Sequence, residues 1–212
     1  MPRLPARPFL YPIVDVAALG PRSVAEAVSA LVRGGARLVQ LRAKEVEDAR
    51  LVTLAREALQ AARAGGALFV VNDRPDVARI VGADGVHLGQ DDLDPGDARW
   101  LLGPEAIVGV STHDLRQLGT AAAAPVDYVA FGPIFRTRSK AAPDPVVGLE
   151  LLRRARAITG RPLVAIGGIT RATAAEVAAA GADGLAVIAD LLSAADLEAA
   201  AREFMAALVA GP

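Results

Sequence analysis

The sequence predicts a single-domain (β/α)8 barrel of the TIM type over residues 1–212, with the barrel itself at about residues 10–210. Its length lies near the lower end of the usual size range of such barrels. Eight short apolar runs alternate with helix-like stretches, which is typical of a parallel sheet. A weak repeat, a helix-ending segment that leads into a strand, precedes every second run and indicates a closed barrel. An open, doubly wound sheet is the alternative.

Each apolar run is predicted to be a strand. The predicted strands are Leu10–Asp15, Leu38–Lys44, Leu68–Asp73, Gly85–Gln90, Ile107–Thr112, Tyr128–Ile134, Pro162–Gly168 and Gly184–Asp190. The first predicted helix starts after Ser23, which forms a capping box with Glu26, and ends at Gly34. The other predicted helices are Val46–Ala64, Pro75–Val81, Pro95–Leu102, Leu115–Ala123, Leu149–Thr159, Ala172–Ala180 and Ala194–Ala210.

Composition excludes several classes of function. The net charge of −1 provides no overall field that would favour nucleic acid or an anionic membrane, so neither is predicted as a partner. The chain has no cysteine, which excludes disulfides, thiolate metal sites and a cysteine nucleophile. We find no signal-peptide core and no apolar run long enough to span a bilayer, and we therefore expect a cytoplasmic protein.

Polar residues gather at the predicted C-terminal ends of the strands, where catalytic groups of these barrels lie. The N-terminal ends are expected to carry little besides glycine, proline and apolar residues. In the second strand Gln40, Arg42 and Lys44 alternate with apolar residues and therefore share one face. If that face points into the barrel, its two cations require an anionic ligand or carboxylates. The alternative is a solvent-facing edge strand with solvated charges.

Asp73 and Asp92 are predicted to end the third and fourth strands, which are neighbours in a barrel. Two carboxylates beside cations indicate Mg²⁺ held by one or two acidic side chains, phosphate oxygens and water. Mg²⁺ is the one cofactor that we predict. The alternative is that Asp73 only caps the turn before Pro75 and that Asp92 is an ordinary loop carboxylate.

Two segments are candidate phosphate sites. The loop after the sixth strand contains Thr137, Ser139 and Lys140 beside two arginines, and it can close over phosphate or be a solvated basic loop. Gly167-Gly168 after the seventh strand can offer backbone N–H groups, although paired glycines also occur in ordinary turns. No general base or nucleophile stands out, and we interpret His87 and His113 as structural. Together, the cations, the carboxylate pair and the two candidate phosphate sites favour a reaction of two phosphorylated substrates in which pyrophosphate departs. Catalysis would then depend mainly on positioning and on stabilisation of charge.

Six segments, in order between about residues 10 and 192, resemble the thiamine phosphate synthase family. They are Gln40–Lys44, Asn72–Arg74, Gly85–Leu93, Gly109–His113, Phe131–Phe135 with the Thr137, Ser139 and Lys140 positions, and Ala165–Ile169. The resemblance implies a Mg²⁺-dependent transferase that joins hydroxymethylpyrimidine pyrophosphate to hydroxyethylthiazole phosphate. It also implies a dissociative mechanism, in which pyrophosphate leaves before the thiazole nitrogen traps the pyrimidine methylene cation.

The resemblance also implies a role for each matching residue. Catalysis falls to Arg42, Lys44, Ser111 and Lys140, and metal binding to Asp73 and Asp92. The pyrimidine substrate is bound by Gln40, Arg42, Lys44, Asn72 and Ser111, the thiazole phosphate by Thr137 and Ser139, the leaving pyrophosphate by Lys140, and a phosphate by the backbone of Gly168.

The sequence departs from the family pattern at two places. Arg136 stands where the family usually has proline, and Ala189 replaces a hydroxyl residue, so the backbone N–H groups of Ile188 and Ala189 are expected to serve there. Two rival functions are a thiazole tautomerase on the same barrel and a non-catalytic sensor of phosphorylated ligands. The tautomerase branch lacks both acids and has histidine in place of Pro133. The sequence does not predict the oligomeric state.

Overall fold

The computed structural model describes residues 4–137 and 144–210. Eight parallel strands form a closed barrel in chain order, because the last strand pairs with the first. The strands are β1 (Phe9–Asp15), β2 (Leu38–Arg42), β3 (Leu68–Asn72), β4 (Gly85–Leu88), β5 (Ile107–Thr112), β6 (Tyr128–Phe131), β7 (Leu163–Ile166) and β8 (Gly184–Val187). The predicted fold class is confirmed, and the open sheet is excluded.

Helices surround the barrel and connect its strands. They are α1 (Val24–Arg33), α2 (Asp48–Ala64), α3 (Pro75–Val81), α4 (Pro95–Leu102), α5 (Leu115–Ala123), α6 (Gly148–Ile158), α7 (Ala174–Ala179), α8 (Ala189–Leu192) and α9 (Leu197–Ala210). The capping box of Ser23 and Glu26 is present at the start of α1. Within the described residues, no helix has the length and apolarity needed to cross a membrane.

Six of the eight predicted strands are too long at their C-terminal ends, whereas β1 and β5 end at the predicted residues. β2 ends at Arg42 rather than Lys44, β3 at Asn72 rather than Asp73, and β4 at Leu88 rather than Gln90. β6, β7 and β8 are similarly shorter, and the end of the predicted eighth strand belongs to α8. The alternation of polar and apolar residues continues into the loops, whereas the hydrogen-bonded pairing of neighbouring strands stops earlier.

The strands separate two apolar layers. Their outer faces pack beneath the helices, with residues such as Val39 and Leu41 of β2 in that layer. The barrel interior is filled by Phe9, Tyr11, Ile13, Leu38, Val70, Ile107, Tyr128, Ala130, Val164 and Ala186. Leu38 belongs to the interior layer, and Gln40 and Arg42 follow it at intervals of two, so they also face inward. The solvent-facing edge strand is therefore excluded.

The expectation that the N-terminal ends of the strands carry little besides glycine, proline and apolar residues is wrong. Asp84, Asp127 and Asp183 lie directly before β4, β6 and β8. Their carboxylates accept backbone hydrogen bonds, at 2.8, 2.7 and 2.8 Å, from the N–H groups of Phe69, Val108 and Leu163 in the preceding strands. These three aspartates belong to three copies of the sequence repeat, at residues 82–87, 125–128 and 181–186. Each of them thus connects two adjacent strands by a hydrogen bond.

Candidate active site

The predicted site residues that the structure describes come from the C-terminal ends of seven strands or from the loops that follow them. Four of them lie within strands: Gln40 and Arg42 in β2, Asn72 in β3 and Ser111 in β5. The others lie in the segments that follow strands: Lys44 after β2, Asp73 after β3, Asp92 after β4, Thr137 after β6, Gly168 after β7, and Ile188 and Ala189 after β8. All therefore lie on one side of the barrel, which we call the mouth. Ser139 and Lys140 lie outside the described residues.

Arg42 is oriented by an acidic residue that sequence reasoning missed. Asp15 ends β1, lies in register with Arg42, and pairs with its guanidinium. The other carboxylate oxygen of Asp15 accepts a hydrogen bond of 3.2 Å from the N–H of Ala17. The side chain of Asp15 is only 7 % exposed, so the pair keeps Arg42 in one orientation at the wall of the mouth. The pairing of the consecutive strands β1 and β2 places the two residues side by side, and Asp15 at the end of the predicted first strand was the signal for it.

A compact acidic cluster lies next to this pair. Nζ of Lys44 is 2.9 Å from Oδ2 of Asp73, and the carboxylates of Asp73 and Asp92 are within hydrogen-bonding reach of each other. Oδ2 of Asp92 also accepts a 2.6 Å hydrogen bond from the N–H of Gly89. Burial, followed by the contact with Asp73, raises the pKa of Asp92 above its ordinary value, against the opposing effects of Gly89 and Lys44.

The backbone of Asp73 is held in an unusual conformation. Its φ of 61° lies in the left-handed region, and it is the one non-glycine residue with positive φ in the described part of the chain. Its N–H donates a 2.8 Å hydrogen bond to the carbonyl of His87 in β4, which fixes this conformation. Arg74, not Asp73, is the N-cap residue of α3, so the capping alternative for Asp73 is not supported. Strained residues of this kind concentrate at functional sites.

The carboxylates of Asp73 and Asp92 form a donor set that could hold a divalent metal. Two carboxylates in contact repel each other unless a proton or a cation lies between them, and burial together with this contact raises the pKa of Asp92. Mg²⁺ binds through one or two carboxylates together with water and phosphate oxygens. The residues present therefore fit this ion, which would polarise phosphate oxygens when bound.

Gln40 and Ser111 approach the mouth from inside the barrel. Gln40 is 1 % exposed, and its Nε2 donates a 2.8 Å hydrogen bond to the hydroxyl of Tyr11. Oγ of Ser111 lies 2.8 Å from Nε2 of His87. The prediction that His87 is a packed, hydrogen-bonded strand residue is confirmed. His113 likewise has a structural contact, with Nδ1 2.7 Å from the carbonyl of Gly132.

The opposite side of the mouth is built by the segments after β6 and β7. The N–H of Phe135 donates a 3.0 Å hydrogen bond to the carbonyl of Gly167, which fixes the segment leading to Thr137 beside the glycine pair. Gly168 has a φ of 66°, and a Cβ there would overlap the carbonyl of Arg136. Glycine is therefore required at position 168 both by its conformation and by this close contact.

The backbone at residues 188 and 189 borders the same side. Ile188 is the N-cap residue of α8 and Ala189 is its first residue. The N–H groups at the start of a helix have no partner within the helix, so those of Ile188 and Ala189 have the chemistry to donate to a ligand oxygen.

Comparison with known proteins shows the family of the chain. The family model described as Thiamine monophosphate synthase matches residues 10–191. The chain belongs to this family. The thiamine-phosphate synthase of Koribacter versatilis is 50 % identical over 189 residues, which cover 87 % of this chain and 89 % of the relative. That of Moorella thermoacetica is 46 % identical over 193 residues, covering 91 % and 92 %. The family places the chain among the transferases of thiamine biosynthesis.

Solved structures support both the family and the fold. The thiamine phosphate pyrophosphorylase of Pyrococcus furiosus superposes with a TM-score of 0.86 at 34 % identity, covering 96 % of each chain. A tryptophan synthase of Mycobacterium tuberculosis superposes with a TM-score of 0.72 at 18 % identity, over 95 % of this chain and 93 % of that one. The second similarity shows the barrel fold alone.

Proposed function

We propose that the chain is a Mg²⁺-dependent thiamine-phosphate synthase, which condenses hydroxymethylpyrimidine pyrophosphate with hydroxyethylthiazole phosphate. The observation that carries the proposal is the acidic pair of Asp73 and Asp92, placed beside Lys44 and Arg42 at one mouth of the barrel. An anion that carries several charges and a divalent cation together satisfy this arrangement. A single neutral ligand would leave it unbalanced.

We assign one of the two substrate anions to each side of the mouth. The side built by β1–β4 carries Arg42, Lys44 and the acidic pair, and we assign the pyrophosphate and Mg²⁺ to it. The side built by β6–β8 carries Thr137, Gly168 and the 188–189 backbone, and we assign the thiazole phosphate to it, together with Ser139. We assign Gln40, Asn72 and Ser111 to the pyrimidine of the first substrate.

The reaction requires little covalent chemistry from the protein. The C–O bond between the pyrimidine methylene and the pyrophosphate breaks, and its electron pair leaves with the pyrophosphate oxygen. The lone pair of the thiazole nitrogen then forms the new C–N bond. Cationic groups, Arg42, Lys44 and Lys140, stabilise the charge that develops on the leaving group, and Ser111 holds the pyrimidine in place.

A turnover assay with both substrates, with and without Mg²⁺, tests the proposal. We expect thiamine phosphate and pyrophosphate to form in equal amounts, and only when Mg²⁺ and both substrates are present. Binding of the substrates without product would instead indicate the sensor. Conversion of a thiazole phosphate isomer in the absence of the pyrimidine substrate would indicate the tautomerase.

A further inference from the structure

A chain of hydrogen bonds crosses the barrel interior beneath the proposed pyrimidine site. It connects Gln40 of β2 to Ser111 of β5 through Tyr11, Tyr128 and His87. Each of its four contacts measures 2.8 Å: Gln40 Nε2 to Tyr11 Oη, Tyr11 Oη to Tyr128 Oη, Tyr128 Oη to His87 Nδ1, and His87 Nε2 to Ser111 Oγ. Both tyrosines of the sequence take part. We call this set the relay.

The centre of the relay is shielded from water. Tyr11 and Tyr128 are 1 % and 0 % exposed, and His87 is 5 % exposed. The ring of Tyr128 stacks on that of His87 with centroids 5.5 Å apart and meets the ring of Tyr11 edge to face at 5.8 Å. Burial raises the pKa of both tyrosines, so each hydroxyl keeps its hydrogen at neutral pH. Each of these hydrogens needs an acceptor.

Both tyrosine hydroxyls have an acceptor for their hydrogen when every hydrogen bond of the relay is donated in the direction from Gln40 to His87. The amide of Gln40 donates to the oxygen of Tyr11. The described polar contacts of the Tyr11 hydroxyl are Gln40 and Tyr128, so its hydrogen goes to the oxygen of Tyr128. The hydrogen of Tyr128 then goes to Nδ1 of His87. With Nε2 of Gln40 directed at Tyr11, the opposite direction would leave the Tyr11 hydrogen unpaired in an apolar interior, which is costly.

This direction determines what Ser111 offers to a ligand. A neutral His87 that accepts at Nδ1 carries its hydrogen on Nε2 and donates it to Oγ of Ser111. The hydrogen of Ser111 is then available to the mouth of the barrel. We infer that Tyr11, Tyr128 and His87 are positioning residues that set the Ser111 hydroxyl as a hydrogen-bond donor to a ring nitrogen of the pyrimidine substrate. The identity of that substrate rests on the proposed function.

A glycine makes room for the centre of the relay. Gly109 of β5 lies in register with Tyr128 of β6, and a Cβ at this position would overlap the Tyr128 ring and hydroxyl. The interior of the barrel is therefore shaped around the tyrosine hydroxyl. Residues that touch no substrate thus account for the orientation of one that does.

The histidine tautomer tests the relay without any substrate. The chain has two histidines, so long-range ¹H–¹⁵N spectra of protein labelled at histidine contain two ring systems, and a His113→Asn variant assigns them. We expect His87 to be the neutral tautomer with its hydrogen on Nε2. Hydrogen on Nδ1, or on both nitrogens, at neutral pH would overturn the inference. This result does not depend on the proposed function.

A second experiment separates positioning from folding. Tyr128→Phe removes the central hydroxyl and keeps the ring, and we expect the KM for the pyrimidine pyrophosphate to rise about tenfold while the KM for the thiazole phosphate stays within about twofold. Thr112→Val is the matched control. The Thr112 hydroxyl is buried and donates a 2.8 Å hydrogen bond to the Ala130 carbonyl, between β5 and β6, the strands that carry Ser111 and Tyr128, but it is not part of the relay.

Three outcomes of the kinetic experiment are informative. Equal changes in both KM values, or the same shift in Thr112→Val, would overturn the positioning role. If Tyr128→Phe does not fold, Tyr11→Phe, which breaks the relay at its other hydroxyl, replaces it with the same expectation. An inactive wild-type protein would contradict the proposed function instead, and the tautomer of His87 would then decide the inference alone.

Discussion

At the N-terminal end of the barrel the carboxylates face complementary partners, whereas at the mouth two of them face each other. Asp183 accepts from the N–H of Leu163 and pairs with Arg156 at 2.7 Å and with Arg7 at 3.1 Å. Asp73 and Asp92 contact each other, and the positive charge of Lys44 lies 2.9 Å from Asp73. Aspartate therefore stabilises the fold at the N-terminal end, whereas at the mouth it contributes negative charge that its described neighbours do not fully neutralise.

This difference indicates which carboxylates stabilise the fold and which are available for a function. A carboxylate that receives a backbone N–H and a guanidinium is satisfied by the protein alone. A carboxylate held against another one, with the backbone of its partner at a φ of 61°, still requires a proton or a cation between the two. Substitutions at the mouth should therefore reduce activity with little effect on folding, and substitutions at the opposite end should do the reverse.

The largest effect is expected from Lys140→Ala. Pyrophosphate gains negative charge as the C–O bond breaks, so an ammonium group beside it stabilises the transition state more than the ground state. We expect kcat to fall by about 10²–10³, with a smaller change in KM. Steady-state kinetics with both substrates measures it.

Arg136→Pro is the matched control for Lys140→Ala, because it also removes one positive charge from the sequence between β6 and α6 and introduces the proline that the family pattern predicts there. We expect it to be tolerated. Equal losses in the two variants would mean that this segment acts through its total charge or its folding, and the role given to Lys140 would be wrong.

Asp92→Asn should separate metal binding from stability. The variant loses one carboxylate of the proposed Mg²⁺ site, so we expect the Mg²⁺ concentration for half-maximal activity to rise by about 10–100-fold. Without Mg²⁺ its Tm should equal or exceed that of the wild type, because the repulsion with Asp73 is removed. In the wild type Mg²⁺ should raise the Tm, and in the variant this rise should be smaller. A lower Tm of the variant without Mg²⁺ would show that the pair is a stabilising contact.

The mouth was easier to predict from sequence than the opposite end, for a physical reason. Gln40 and Arg42 alternate with apolar residues, and that period alone places them on one face. Asp15 was missed because its role depends on lying beside Arg42, which follows from the register between β1 and β2, and sequence spacing does not fix that register. Asp84 and Asp183 were missed because their partners are backbone N–H groups of other strands, which no residue type in the sequence marks.

Two further errors have separate causes. The strand ends were placed too late because polarity alternates beyond the last paired residue, as at Lys44. Tyr11 and Tyr128 were treated as parts of apolar strands, which their burial justifies. Their hydroxyl contacts depend on two strands on different sides of the barrel, so sequence spacing could not reveal the relay.

Asp183→Asn tests the N-terminal end of the comparison. Asparagine keeps an acceptor for the N–H of Leu163 but lacks the charge that pairs with Arg156 and Arg7. We expect a loss of about 2 kcal/mol in the free energy of unfolding, which corresponds to a Tm lower by about 4–8 °C in a chain of this size. Calorimetry measures the Tm, and kcat per folded molecule should be unchanged. A selective loss of kcat would contradict the division between the two ends.

The smallest effect is expected from Asp84→Asn, which isolates the backbone contribution at the same end. Asp84 accepts from the N–H of Phe69 at 2.8 Å, and in the described part of the chain no arginine or lysine forms an ion pair with it. The asparagine oxygen can accept the same hydrogen bond, so we expect the free energy of unfolding to change by less than about 0.5 kcal/mol. Asp84→Ala removes the acceptor and leaves the strand N–H unpaired, which should cost about 1–3 kcal/mol. If Asp84→Asn were as destabilising as Asp183→Asn, negative charge rather than hydrogen bonding would be what the N-terminal carboxylates supply.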